Sequence, residues 1–452
     1  MTTTSRRPRL KVTICAGVLV ALVVAPGCGV KKSALASRNT ERRTVSTQKV
    51  SPDDGPGVTS DEVKVGFVAL DTKRLAKALA LNFADAGNVD AQIQAMVDDA
   101  NAKGGIAGRK VVPVIRHYEA FTDNAPKEEA LCKGFTQDDK VFAVVLVGQF
   151  QTNARPCYAQ ADTVIMDTTA YPLDQKALEE LAPYEWQPSY PEYGNLLSAL
   201  VQSLDKSKFF EKSKLAIVAI DNPQNKRVYK ERVAPALKKL GVKPIDVRWI
   251  DPSSSATLQA GQEQAVLSFK GKGVDRLLVI GGSRLATFMM DTAKKQNYYP
   301  RFAETAWDNP EFAIRNYPDA VKGAVGVSLL PGYEAVPTEE LPFPQSFEKP
   351  CVDMVAKADK APEGRGNVRQ ALLYCDAVEL LRKAFDGWKG PVNADAFANR
   401  AQALGKDFVS ASTYASGFNK GDYAGGQGYR RMFYDEKCAC MKLDGDTVRF
   451  DS

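Results

Sequence analysis

Histidine is nearly absent from this chain: of its 452 residues, His117 is the single one. A hydrolase built on a Ser–His–Asp or Cys–His device would have to use it. It falls at the end of an expected strand, and no Gly-x-Ser-x-Gly elbow stands ready to partner it, so its reading is structural. Zinc chemistry needs more ligands than the sequence clusters anywhere. Gly271-Lys272 and Gly405-Lys406 lack the rest of a Walker A pattern, which leaves nucleotide hydrolysis unsupported. The glycines of Asn101 to Arg109 (Gly104, Gly105, Gly108) follow an expected helix and precede a strand. A dinucleotide fingerprint runs the other way, because the phosphate sits on a helix N-terminus. Catalytic residues, a metal and a cofactor are therefore not expected.

A strong excess of either charge is missing too. The formal net charge is +6, and Arg6, Arg7, Arg9 and Lys11, all ahead of Cys28, supply most of it. What remains is no electrostatic footprint for nucleic acid. The body of the chain has no apolar run long enough to span a bilayer.

What is present begins with an export signal. Arg6 to Lys11 form a cationic region, Val12 to Ala25 an apolar one, and Ala25-Pro26-Gly27-Cys28 places small residues before a cysteine. The tetrapeptide resembles a bacterial lipobox with Ala at its first position, which would make Cys28 the lipidated first residue of the mature protein. A plain cleaved signal with an incidental cysteine is the alternative. Ser5 to Lys11 also resembles a twin-arginine export motif without its aromatic residue, and an ordinary cationic region reads equally well. Residues 1–27 are thus expected to be a signal peptide. Residues 28–60, polar and poor in large apolar side chains, are expected to be a flexible tether.

Cysteine usage agrees with export. Beyond Cys15 and Cys28 stand Cys132, Cys157, Cys351, Cys375, Cys438 and Cys440, an even set that favours disulfides. Fifteen pairings are open. Cys132–Cys157 and Cys351–Cys375 are preferred because each pair lies on neighbouring elements, with Cys438 and Cys440 left to pair locally. A metal held by Cys-Ala-Cys is the rival reading, without further ligands nearby.

From residue 61 short apolar strands alternate with amphipathic helices. Val63–Leu70, Val111–Ile115, Phe142–Val147 and Val164–Met166 read as strands. Helices are expected over Val89–Lys103, where Val89, Ile93, Met96, Val97 and Ala100 make one stripe, around Pro126–Phe135 and around Thr152–Ala161. After a break at Tyr184–Tyr193 the rhythm restarts with strands Leu215–Ile220, Ile245–Ile250 and Arg276–Ile280. Helices follow them near Tyr229–Leu240, Leu258–Phe269 and Leu285–Lys295. Such alternation predicts an α/β fold of two Rossmann-like lobes, parallel sheets flanked by helices. Later elements are the strand Val325–Leu330, a helix over Asn367–Trp388 and strands near Met432–Tyr434 and Val448–Phe450. They suggest that the chain crosses back, with 61–185 plus 331–415 forming one lobe and 186–330 plus 416–452 the other.

In wound parallel sheets, ligands bind beyond the C-terminal strand ends. Those ends carry Asp71 and Thr72, Gln149, Gln151 and Thr152, then Thr168 and Thr169, in the first lobe. In the second they carry Asp221, Ser283 and Arg284, then Trp307 and Asp308. Hydroxyls, amides and an aromatic face suit a small polar or zwitterionic solute held between lobes. Thr152 and Ser283 read equally as helix caps.

"VTSDEVKVGFV" at 58–68 and "DDANAKGGIAGRKVVPVI" at 98–115 resemble the opening of type I periplasmic binding proteins, in particular the branched-chain amino acid class of ABC importers. "CKGFTQDDKVFAVV" at 132–145 and "YCDAVELLRKAF" at 374–385 are similar to the same family. The resemblance runs from about residue 58 to the C-terminus. It implies two lobes joined by three crossover segments, hinge closure over a solute, and docking on a membrane permease. It also implies a hydroxyl and backbone groups for a ligand carboxylate at Gln149 to Thr152, a threonine at Thr168–Ala170, and an aromatic from Tyr190 or Tyr193. Asp308 is the candidate for a ligand ammonium. The family's serine-rich loop is replaced here by Gln149, Gln151 and Thr152, so an amide or an aromatic acid fits as well as an amino acid.

The expected protein is an extracytoplasmic solute receptor, a monomer, anchored to the outer face of the bacterial membrane through Cys28. Its partners are a small-molecule solute and an ABC permease. A ligand-sensing module without transport is the second reading, and a secreted enzyme the third.

Overall fold

The computed structural model describes residues 51–70, 76–77, 81–149, 151–169, 171–330, 334, 348–358 and 365–450. The export signal, Cys28, Asp71, Thr72 and Ala170 lie outside the described residues. Residues 51–60, expected to belong to the tether, are instead packed in place. Asp54 pairs with Arg109 at 3.1 Å, both side chains almost fully buried, and Asp54 Oδ1 accepts from the Val392 backbone. A buried ion pair holds a polar segment that apolar content alone would leave loose.

The first sheet contains β1 (Glu62–Leu70), β2 (Lys110–Tyr118), β3 (Ala143–Leu146), β4 (Val164–Asp167) and β5 (Glu185–Trp186). They are all parallel, in the order β2-β1-β3-β4-β5. Its helices are α1 (Val89–Ala102), α2 (Ala125–Lys133), α3 (Arg155–Gln160) and α4 (Gln175–Glu180). The second sheet has β6 (Leu215–Ile220), β7 (Asp246–Ile250), β8 (Arg276–Ile280), β9 (Arg301–Thr305), β10 (Val325–Ser328), β11 (Gly428–Asp435) and β12 (Cys440–Arg449). Their order is β12-β11-β10-β9-β8-β6-β7, parallel except for the last hairpin. Around it lie α5 (Tyr193–Lys206), α6 (Pro223–Val228), α7 (Ala234–Lys239), α8 (Ser255–Gly271), α9 (Ser283–Lys295) and α10 (Pro310–Asn316).

The strand period of two distributes side chains to both faces. On β6, Ala216, Val218 and Ile220 join a core with α8 and α9, whereas Leu215, Ile217 and Ala219 join another with α5. On β1, Val63, Val65 and Phe67 pack with α1, while Val68 faces α2 and α3. After β10 the chain returns to the first sheet. There α11 (Glu348–Ala358), α12 (Arg365–Ala384) and α13 (Ala394–Ala403) complete its core through Cys351, Leu372, Phe385 and Phe397. It then crosses once more to form β11 and β12. This is the two-lobe α/β architecture with parallel sheets and crossovers between them.

Two crossovers run side by side. Gln187 pairs with Ala424, and the Gly425 and Gly426 N–H groups donate to the Gln187 and Tyr190 carbonyls at 2.8 and 2.9 Å. A Cβ on Gly425 would stand 2.3 Å from the Pro188 carbonyl oxygen, so only glycine permits this approach. The Asp376 carboxylate on α12 ties both segments, accepting from Ser189 Oγ, Ser410 Oγ and the Ala411 N–H, each at 2.6 Å.

The six cysteines are joined as Cys132–Cys157, Cys351–Cys375 and Cys438–Cys440. The first bond links α2 to α3 and the second α11 to α12. The third closes the turn of the β11–β12 hairpin, so those sulfurs hold each other and not a metal. No helix among the described residues is long and apolar enough to cross a membrane.

Candidate functional site

The C-terminal ends of both sheets face each other, and the loops beyond them meet. The Tyr171 hydroxyl accepts from Asn222 Nδ2 at 3.1 Å, Gln224 donates to the Pro172 carbonyl, and Arg227 makes a two-point bond to Asp174 at 2.7 and 2.8 Å. Between them lies a cavity of about 90 Å³. From the first lobe it is lined by Gln151, Thr152, Tyr171 and Pro172. From the second it is lined by Ile220, Asn222, Asn225, Pro252, Gly281 and Arg284. These residues come from the loops after β3, β4, β6, β7 and β8, the side of a parallel sheet where ligands bind.

The first-lobe wall rests on a buried charged layer. Arg155, at the start of α3, bonds Asp167 through Nε at 3.0 Å, the Gln151 carbonyl at 2.6 Å and Thr169 Oγ1 at 3.1 Å, and its guanidinium lies 5.6 Å from the Tyr171 ring centre. Glu185 Oε1 stands 3.5 Å away. Burial beside Asp167 pushes the Glu185 carboxyl well above the usual carboxylate range. Glu128 takes the Gln151 N–H at 2.9 Å. Burial and a hydrogen bond to Asp123 push its carboxyl up to about 9. One guanidinium thus fixes the loops after β3 and β4 together.

Of the described residues expected at the site, Gln151, Thr152 and Arg284 line this cavity, and the others do not. Thr168 Oγ1 donates to the Leu146 carbonyl at 2.8 Å, and the Thr169 N–H donates to Asp167 at 2.8 Å. Gln149 is buried, its amide without a partner among the described residues. Tyr190 stacks on Trp307 with ring centres 5.1 Å apart, inside the core behind the cleft. Asp308 accepts from the Thr305 N–H and Oγ1, both at 2.7 Å, a reciprocal cap on its own turn. Burial, against those two bonds, leaves its carboxyl at about 7. Asp221 pairs with Lys226 at the surface. Ser283 is the first residue of α9, whose cap is Gly282. His117 lies on the surface beside Asp90, Nε2 to Oδ2 at 3.2 Å.

Tyr171, Pro172, Asn225 and Pro252 were not expected at the site. Tyr171-Pro172 follows the Asp167-Thr168-Thr169 strand end in the sequence, and that adjacency was the available signal. A larger hollow of about 770 Å³ is lined by Leu70, Asp90, His117, Tyr118, Lys127 and their neighbours. Its described walls all belong to the first lobe.

The sequence matches the periplasmic binding protein family over residues 82–408. The chain belongs to that family, a class of solute-binding, non-catalytic proteins, and has its type I fold. A fatty acid ABC transporter substrate-binding protein from Thermomonospora curvata superposes with a TM-score of 0.61 at 16% identity, covering 88% of this chain and 96% of that one. A solute-binding protein of an ABC transporter from R. palustris, in complex with 4-hydroxybenzoate, gives 0.60 at 15% identity, covering 86% and 98%. A branched-chain amino acid ABC transporter protein from Thermus thermophilus with bound valine gives 0.58 at 15%, covering 86% and 97%. No curated protein matches the sequence significantly.

Proposed function

We propose that this protein is the extracytoplasmic substrate-binding component of an ABC importer, capturing a small polar solute between its lobes and delivering it to a membrane permease. The observation that carries the reading is the cavity walled by loops of both sheets and closed by Tyr171–Asn222 and Asp174–Arg227. A solute that bridges two such walls favours the closed form by its differential affinity, and a closed form is what a permease can distinguish. In this reading residues 61–185 with 331–415 make one jaw and 186–330 with 416–452 the other. Cys28 carries the lipid that holds the receptor at the outer face of the membrane. The relatives of known structure that bind valine, 4-hydroxybenzoate or fatty acid span a wide ligand range, so the ligand is argued from the cavity itself.

The test is mass spectrometry of the small molecule released when the purified chain is denatured, followed by uptake of that molecule in cells lacking the gene. A released solute whose uptake falls in the deletion supports the importer role. Unchanged uptake contradicts it.

A further inference from the structure

Resting on that reading, the cavity also specifies the chemistry of its occupant. A zwitterionic amino acid needs donors for its carboxylate on one wall and an acid for its ammonium on the other. Apart from the buried Gln149 amide, which does not line the cavity, the groups expected for these two roles are already engaged. On the first lobe the Gln151 N–H is taken by Glu128, the Thr168 N–H by the Leu146 carbonyl and the Thr169 N–H by Asp167. On the second, Asp308 is occupied by Thr305. Among the described lining residues one side chain carries a full charge, Arg284; it makes no direct ion pair or hydrogen bond there, and the Asp123 and Glu128 carboxyls act on it only from a distance. It stands on the first turn of α9, a thirteen-residue helix whose N-terminus no side chain caps, so the helix end favours an anion at the same place.

A second group points the same way. Asn225 is 1% exposed and lines the cavity. Its Nδ2 donates to the Ile220 carbonyl at 3.1 Å, which fixes the amide orientation, and its Oδ1 has no partner. A buried acceptor left unmatched is costly, and a ligand donor would satisfy it once a small shift of the amide opens that oxygen, which has almost no accessible surface here, to the cavity. The remaining lining is apolar: Tyr171, Pro172, Ile220 and Pro252. The volume of about 90 Å³ is below the ~150 Å³ that accepts benzene.

We propose that the ligand is a short monocarboxylate bearing a neutral hydrogen-bond donor, a small 2-hydroxy acid, with its carboxylate on Arg284 and its hydroxyl donating to Asn225 Oδ1. The anion is then held by the second lobe, and no group is assigned to an ammonium.

Four probes of matched size separate the possibilities: lactate, alanine, propionate and lactamide, titrated calorimetrically into the full chain. Lactate is expected to bind, with propionate and alanine at least about tenfold weaker and lactamide weaker still. Arg284→Gln is expected to lower lactate affinity about 10- to 100-fold, the range for a charge-assisted hydrogen bond. Arg284→Lys should recover part of it. Asn225→Ala should abolish the preference for lactate over propionate, circular dichroism confirming that each variant is folded. Alanine binding more tightly than lactate, or Arg284→Gln leaving lactate unaffected, overturns the assignment and leaves the solute-receptor reading standing. So does a neutral solute binding where all four probes fail. No binding from a broad panel of solutes overturns both.

Discussion

The two lobes share a strand order around their first five strands and differ in what they bring to the rim where they meet. The first lobe places Arg155 between Asp167 and Glu185 directly beneath its loops and fixes those loops through the Gln151 carbonyl and Thr169. The second brings Arg284 to the same cavity with no acid bonded to it. One arginine is part of the scaffold and the other is left available. A buried charge with its partners sets shape, whereas an unpaired charge in a cleft awaits a ligand.

The largest effect expected from this contrast comes from the same substitution made on both sides. Arg155→Met strands Asp167 and Glu185 in the interior and should cost about 3–5 kcal/mol of stability, read from denaturant unfolding. Arg284→Met should move the same measurement by less than about 1 kcal/mol while removing solute binding. Equal losses of stability would erase the distinction between the lobes.

Disulfides sharpen the comparison at smaller scale. Cys132 and Cys157 are 25 residues apart, Cys438 and Cys440 only two. Loop-closure entropy grows with separation, so replacing the first pair by serine should cost about 2–4 kcal/mol, and replacing the second clearly less. Thermal melts of the two double variants check the order.

The last contrast is a pH dependence, to which Glu128 contributes in the first lobe and Asp308 in the second. Glu128 is held protonated up to about 9, above its ordinary 4.5, chiefly by burial. Between those values the folded chain binds more protons than the unfolded one, so this group makes stability fall as pH rises through that window. Glu128→Gln keeps an oxygen for the Gln151 N–H and should flatten the decline between pH 5 and 9. An unchanged slope would assign the decline elsewhere.

Much of the scaffold was legible because its strands are uniformly apolar: Leu215–Ile220 and Arg276–Ile280 form the strands read from the sequence. β9 was not legible, because Arg301, Glu304 and Thr305 break its apolar run although Glu304 is fully buried. The helix Tyr193–Lys206 fell within and after an expected break, despite Leu196, Leu197, Leu200, Val201 and Leu204 at helical spacing. At the cavity, strand-end position named Gln151, Thr152 and Arg284 among its lining but could not tell an engaged polar group from a free one. Thr305-x-x-Asp308 has the spacing of a capping box, and that pattern could have withdrawn Asp308 from the ligand. Asn225 is the third residue of α6, beyond any strand-end rule. The Arg155–Asp167–Glu185 layer joins three separate elements, which no local pattern reveals.

The central claim is that the solute sits between the lobes and not in the larger hollow of the first. Filling each space in turn and titrating the co-purified solute tests it. Thr152→Trp occupies the interlobe cavity, and Ala130→Trp occupies the hollow beside His117. Binding lost with Thr152→Trp and kept with Ala130→Trp is the predicted result. Binding kept with Thr152→Trp and lost with Ala130→Trp would contradict the account.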